Sequence, residues 1–211
     1  MKRESDEKNE RIFQVAKELF AMQGYYQTSA NSIAEKADVS KALVFHHYKS
    51  KKALYLAIIE HSIDSMMATF NKEWEPLESH DFFEQMKGFV KAKLTVALKH
   101  PKENKLMIQA FHSPPKEAVN ELQLVFQVKS QAMQSLNDEY IFNCLTPQSI
   151  REGVEMNQAK TLIRTVFEGF SQRILADYSG KYEEIIHDSD RILSEMDAII
   201  EILKYGVMSK S

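Results

Sequence analysis

A single cysteine, Cys144, cannot form a disulfide within the chain and suits a reducing compartment, so a cytoplasmic location is expected. Six glycines and five prolines in 211 residues are too few for a fibrous or low-complexity protein. No apolar run reaches the roughly eighteen residues that a membrane-spanning helix needs, so no membrane partner is expected. The opening stretch MKRESDEKNER has no apolar centre, so no secretory signal is expected either. Gly-rich phosphate loops, HExxH, CxxC and GxSxG are all missing. No paired carboxylates stand apart from the charged helix faces, and His112-Ser113 is followed by Pro114-Pro115, which favours a helix-ending turn. Enzymatic activity, catalytic residues and cofactors are therefore not expected. Nor is a metal: His46 and His47 are neighbours, which on a helix point about 100° apart, whereas ligands favour i,i+4 spacing.

What is present is charge and helical periodicity. Residues 1–52 hold ten basic and seven acidic residues, a net of +3, while 53–211 hold seventeen and twenty-three, a net of −6. A positive front on an acidic body orients the front toward a polyanion. The chain is long enough to bury a real core.

Ile12, Ala16, Leu19 and Phe20 form one apolar stripe, and Gly24 is suited to end that helix in a left-handed conformation. Thr28 is expected to cap a second helix burying Ile33, Ala34 and Ala37. A turn at Asp38-Val39 leads to Ser40, which opens a third helix ending near Tyr48. Ser50 then caps a fourth, running to about Trp74 before Glu75-Pro76. Two short helices joined by a tight turn form a helix-turn-helix, whose small core the first and fourth helices must complete. Beyond it the pattern predicts helices over about 82–98, 102–111, 117–142, 157–178 and 182–207, with a short piece from Thr146-Pro147 to Gly153. Ser179-Gly180 separates the last two helices. The fold class is all-α, with a helix-turn-helix domain over 1–52 and a larger helical domain over 53–211.

The segment Asp38–Leu54, DVSKALVFHHYKSKKAL, carries four lysines, two histidines and two aromatics on capped helices. A helix of that character fits a DNA major groove. With Gly24-Tyr25, Thr28-Ser29, Ile33-Ala34, Val39-Ser40-Lys41, His47-Tyr48 and Ser50-Lys51 in order and without insertion, residues from about 12 to 54 resemble the DNA-binding domain of the tetracycline-repressor (TetR) family. The body resembles the family in layout only.

The resemblance implies roles for particular residues. Thr28 and Ser29 would meet phosphate at a helix start. Lys41 would face base edges or nearby phosphates, and Ala42 and Leu43 the groove floor. Phe45 and His46 would take the family's aromatic pair, His47 its phosphate-contacting histidine, and Lys51 a backbone anchor. Asp38 and Ala42 stand where glycine is common, and Phe45 and His46 where tyrosines are common. Phe45 has no hydroxyl for a phosphate, so a distinct base preference is expected.

The body offers two readings of its large soft side chains. Phe70, Met86, Phe89, Met107, Phe111, Phe126, Met133 and Phe167, with polar His112, either fill a helical core or line a pocket for an apolar or amphipathic ligand. The last two helices carry Leu162, Val166, Gly169 and Phe170, then Ile192, Met196, Ile199, Ile200 and Leu203. Gly169 inside a helix costs about 1 kcal/mol relative to Ala, which a close helix approach would explain. The resemblance implies that these helices pair two copies into a homodimer. The expected protein is a transcription regulator, most simply a repressor of a pseudo-palindromic double-stranded operator released by a small molecule. The alternative is a helical protein-interaction module with an incidental basic hairpin.

Overall fold

The structure, a computed structural model, describes residues 2–74, 81–140, 142, 145–178, 181 and 184–205. The expected features at Glu75-Pro76, Cys144, Ser179-Gly180, Tyr182 and Val207, and the side chain of Met133, lie outside the described residues. The described chain is helical with no strand: α1 Lys2–Gln27, α2 Ala30–Lys36, α3 Lys41–Tyr48, α4 Lys51–Glu73, α5 Phe82–Lys99 and α6 Pro101–His112. A 3-10 turn at Lys116–Ala118 leads into α7 Val119–Tyr140. Another at Pro147–Ser149 precedes α8 Met156–Asp177, α9 Glu184–His187 and α10 Ser189–Tyr205. The expected last helix is thus two pieces, interrupted at Asp188.

Two compact units divide the chain: residues 1–69 with 100–131, and 70–99 with 132–211. In the first, α1 turns Ile12, Ala16 and Phe20 inward at i, i+4 and i+8, each fully buried. Ile33, Ala34 and Ala37, Val44, and Leu54, Tyr55, Ile58 and Ile59 of α4 meet that stripe. The core then continues into Leu106 and Ala110 of α6, and through Ala118 to Leu122 of α7. The helix-turn-helix therefore shares one core with helices later in the sequence. Phe20, Tyr25 and Tyr55 stack and meet edge-on within it at 4.9–5.9 Å.

Ion pairs reinforce this unit. Lys17 pairs with Glu103 at 2.7 Å, both side chains about nine-tenths buried in effect (13% and 14% exposed). Lys102–Glu18, Lys52–Glu121 and Lys129–Asp64 are more open. The exposed pairs contribute little each, whereas the enclosed Lys17–Glu103 pair is costly to break on one side only.

In the second unit, Phe170, Ile174 and Tyr178 of α8 and its end pack on Ile185, Ile192, Met196 and Ile200, with Phe83, Val90 and Leu94 of α5 against them. Tyr178 donates its hydroxyl to Asp188 and accepts from Arg191, pinning the turn between α8 and α10. Phe70, Trp74 and Phe89 form a second aromatic group, their ring centroids 5.0–5.5 Å apart.

Candidate nucleic-acid interface

The helix starts that position the interface are built from serine. Ser29 caps α2, accepting the Ser32 N–H at 3.0 Å while the Ser32 hydroxyl accepts the Ser29 N–H at 3.0 Å, a reciprocal capping box. The cap expected at Thr28 is corrected accordingly. Thr28 is buried and donates its hydroxyl to the Gly24 carbonyl at 2.8 Å, so its side chain closes the end of α1. Gly24 lies at φ 79, ψ 173, a glycine-only region beyond the left-handed helix, and one further turn of helix follows it.

Ser40 accepts the Leu43 N–H at 3.2 Å and opens α3, and Ser50 accepts the Ala53 N–H at 3.0 Å and opens α4. Asp38, at φ 51, makes the left-handed turn before α3, and its carbonyl accepts from Arg11 at 3.3 Å. Aspartate tolerates that conformation because its short polar side chain bonds locally.

On α3, at about 100° per residue, Lys41, Ala42, Phe45 and His46 share the outward side and are all exposed. Lys49, just past the helix end at φ 56, continues that side and is exposed too. Lys41 Nζ stands 5.8 Å from the centroid of the Phe45 ring one turn on, which joins the cation and the flat ring into one surface. Lys41 and Lys49 have no acidic partner among the described residues. Lys49 is the interface residue that sequence reasoning passed over; its i+8 relation to Lys41 was the available signal.

Two expected contacts are turned away. Leu43 and His47 lie about 200° and 240° round the helix from Lys41. Leu43 packs against the first unit's core, not over a groove floor. His47 is half-buried, its Nε2 enclosed without a hydrogen-bond partner among the described residues.

Lys51 is tied within the chain. Its ammonium donates to the carbonyls of Tyr25 and Thr28, each at 3.0 Å, and lies 4.1 Å from the Tyr25 ring centroid. The residue expected to anchor phosphate is thus also a strut between the end of α1 and the start of α4. Lys51→Met is expected to lower unfolding free energy by about 2–3 kcal/mol, since two charge-assisted bonds and their buried acceptors are lost. Urea denaturation measures this; unchanged stability with a weaker salt dependence of DNA binding would restore the anchor role.

The remaining expected sites scatter. Phe70, Met86 and Phe89 are buried in the second unit, whereas Met107 and Phe126 pack on the core of the first. Phe111 is exposed with its ring edge-on to Phe126, His112 is exposed, and Phe167 packs with the α8–α10 core. Among the described residues, the set is thus divided between the two units. Of the expected pairing residues, Phe170, Ile192, Met196 and Ile200 are buried within their own unit. They belong to the core shared by α8, α10 and part of α5. Val166, Ile199 and Leu203 are half-buried, and Leu162 and Gly169 stand open, as do Ile202 and Tyr205. A Cβ at Gly169 would meet nothing within 4 Å, so no approach inside the chain requires that glycine.

Residues 12–58 match the model of bacterial regulatory proteins of the tetR family, and residues 80–208 match a tetracyclin repressor-like C-terminal domain. The transcriptional activator FasR of Mycolicibacterium smegmatis is 33% identical over 63 residues, 30% of this chain and 29% of that protein. The regulator RutR of Escherichia coli is 29% identical over 102 residues, 47% of this chain and 45% of that one. The matched stretch thus spans less than half of either curated relative. A transcriptional regulator from Aquifex aeolicus superposes over 93% of this chain and 99% of its own, at TM-score 0.61 and 18% identity. FadR of Bacillus subtilis, solved with stearoyl-CoA, superposes over 95% and 100%, at TM-score 0.59 and 13% identity. At such identities these structures establish the fold alone.

Proposed function

This chain belongs to the TetR family of bacterial regulatory proteins, and from that membership we propose that it is a cytoplasmic regulator binding double-stranded operator DNA as a homodimer and released by a small ligand. The observation that carries the reading is the outward side of α3: Lys41, Ala42, Phe45, His46 and then Lys49, exposed together and without acidic partners among the described residues. Ser29 stands exposed at the start of α2 and suits a phosphate contact. Lysine and histidine on the outward side of a groove-sized helix suit guanine edges and phosphates, and Ala42 and Phe45 suit thymine methyls.

Pairing through α8 and α10 is supported by Leu162, 58% exposed, and by Ile202 and Tyr205, 49% and 71% exposed. The unexplained Gly169 points the same way, since a second copy supplies the close approach that this chain does not. A two-fold dimer presents two copies of α3, so its operator is a pseudo-palindrome with half-sites about one helical turn apart. Release follows if the ligand favours a form in which the two reading faces no longer match that spacing. Moving such an equilibrium from 1:99 to 99:1 takes about 10⁴-fold preference for the released form. The route available is α4, whose residues 51–69 belong to the first unit and whose later residues belong to the second.

Selection of bound fragments from a random DNA pool by the purified chain tests this. An inverted repeat with a fixed spacing, retained against non-specific competitor, is the expected outcome. Salt-labile retention with no shared sequence would instead support a protein-interaction module with an incidental basic face.

A further inference from the structure

On α5, Phe82, Gln85, Met86, Phe89, Ala92 and Val96 share one side and are all buried. At about 100° per residue, Lys93 falls inside that arc, between Phe82 and Met86 in projection. The other lysines of the helix lie outside it, and two of them are paired, Lys87 with Asp197 and Lys99 with Glu73. A side chain flanked on its own helix face by buried neighbours should itself be buried, yet Lys93 is exposed to solvent. Lys93 thus reaches solvent from within the buried arc of α5.

The surroundings of that ammonium are apolar. Its Nζ lies 5.2 Å from the centroid of the Phe89 ring. Phe89 in turn meets Phe70 at 5.0 Å and Trp74 at 5.2 Å, both edge-on, and all three rings are buried. No carboxylate of the described residues pairs with Lys93. Enclosure by protein lowers its pKa from the usual lysine value, with desolvation the sole cause. A cation beside an aromatic ring and without a paired carboxylate among the described residues is poorly compensated once desolvated. A neutral ligand covering it would leave it worse off, and a cationic ligand would be repelled. An anion would restore the missing charge while its apolar part covers the aromatic group.

We propose that Lys93 and the aromatic group beside it bind an amphipathic organic anion, its acidic group on Lys93 and its apolar body against the Phe70–Trp74–Phe89 cluster. The assignment gives the chemical class of the effector and rests on the regulator reading only for its consequence at DNA.

Two probes that differ by a sulfonate test it: 8-anilinonaphthalene-1-sulfonate and the neutral N-phenyl-1-naphthylamine. Trp74 is the only tryptophan of the chain, so quenching of its emission reports arrival beside Lys93. The full-length protein is expected to bind the sulfonate with saturable quenching. Lys93→Met should weaken the sulfonate at least about tenfold while holding or improving affinity for the neutral probe, and Lys93→Arg should stay within about threefold of the parent. Lys93→Met should also melt no lower than the parent, since an uncompensated charge is removed. Equal weakening of both probes, an unchanged sulfonate affinity, or no quenching of Trp74 would overturn the proposal. Operator binding is read separately: Lys93-dependent sulfonate binding that leaves DNA affinity untouched upholds the site and removes its role in release.

Discussion

Lys41→Glu is expected to reduce affinity for a selected operator by roughly 10²–10⁴-fold while leaving thermal stability unchanged. Lys41 is exposed, carries no ion pair among the described residues and stands at the front of the outward side of α3. A lost lysine contact to a base edge or phosphate is worth about 1–3 kcal/mol, and a dimer loses two. Reversal adds repulsion from the phosphates, while a surface change away from any packed feature shifts stability by no more than about 0.5 kcal/mol. Lys72→Glu, an equal change of net charge at an exposed site near the end of α4, serves as the control. Fluorescence anisotropy at two salt concentrations separates the cases, because each removed phosphate contact lowers the salt slope by about one. Equal weakening by both variants would mean that overall charge, not the reading face, holds DNA.

The largest stability effect is expected at Lys17. Lys17→Met leaves Glu103 enclosed without its ammonium, a situation that typically costs about 3–5 kcal/mol. Lys17→Met combined with Glu103→Leu should recover most of the loss, because two apolar side chains of similar size fit where a pair was. Acid adds a second check. Burial is the largest single influence and raises the Glu103 carboxyl, but the hydrogen bond and charge of Lys17, a backbone N–H and the nearby His100 together outweigh it and hold the pKa below the usual 4.5. A depressed carboxylate stabilises the fold above its unfolded pKa, and that contribution disappears as pH falls through the folded value. In Lys17→Met the carboxyl keeps its burial without the compensating bond, so it protonates at higher pH. The gap in melting temperature between parent and variant should therefore narrow as pH is lowered from neutral toward 4. A gap that stays constant across that range would mean that lost packing of the lysine stem, rather than the stranded charge, explains the variant.

Legibility of the sequence varied with the range of the interactions involved. Stripes such as Ile12-Ala16-Phe20 and serines such as Ser40 and Ser50 act within a few residues of themselves, and the helices they predict stand close to where expected. The choice between Thr28 and Ser29 as cap turned on whether the threonine hydroxyl would reach back to Gly24, which depends on an unusual glycine conformation. The strut made by Lys51 is out of reach of sequence pattern for a similar reason. Its stem spans to carbonyls 23 and 26 residues earlier, and no local pattern predicts such a strut. Leu43 and His47 were assigned through resemblance rather than through their angular position, which turns them inward. The apolar stripe of α10 was plain, but periodicity cannot say whether Ile192, Met196 and Ile200 meet their own chain or another.

The shared core of the first unit has a consequence for how such regulators can be recombined. Cutting the gene after α4 would remove Leu106, Ala110, Ala118 and Leu122 from beneath α1 and α4, and with them Glu103 and Glu121. The compact piece of this protein that carries α3 is therefore discontinuous, residues 1–69 together with 100–131. A chimera that grafts only the front of the chain onto a foreign body would inherit an unmatched floor. Exchanging specificity between relatives should succeed by repainting the outward side of α3, and fail by swapping heads whole.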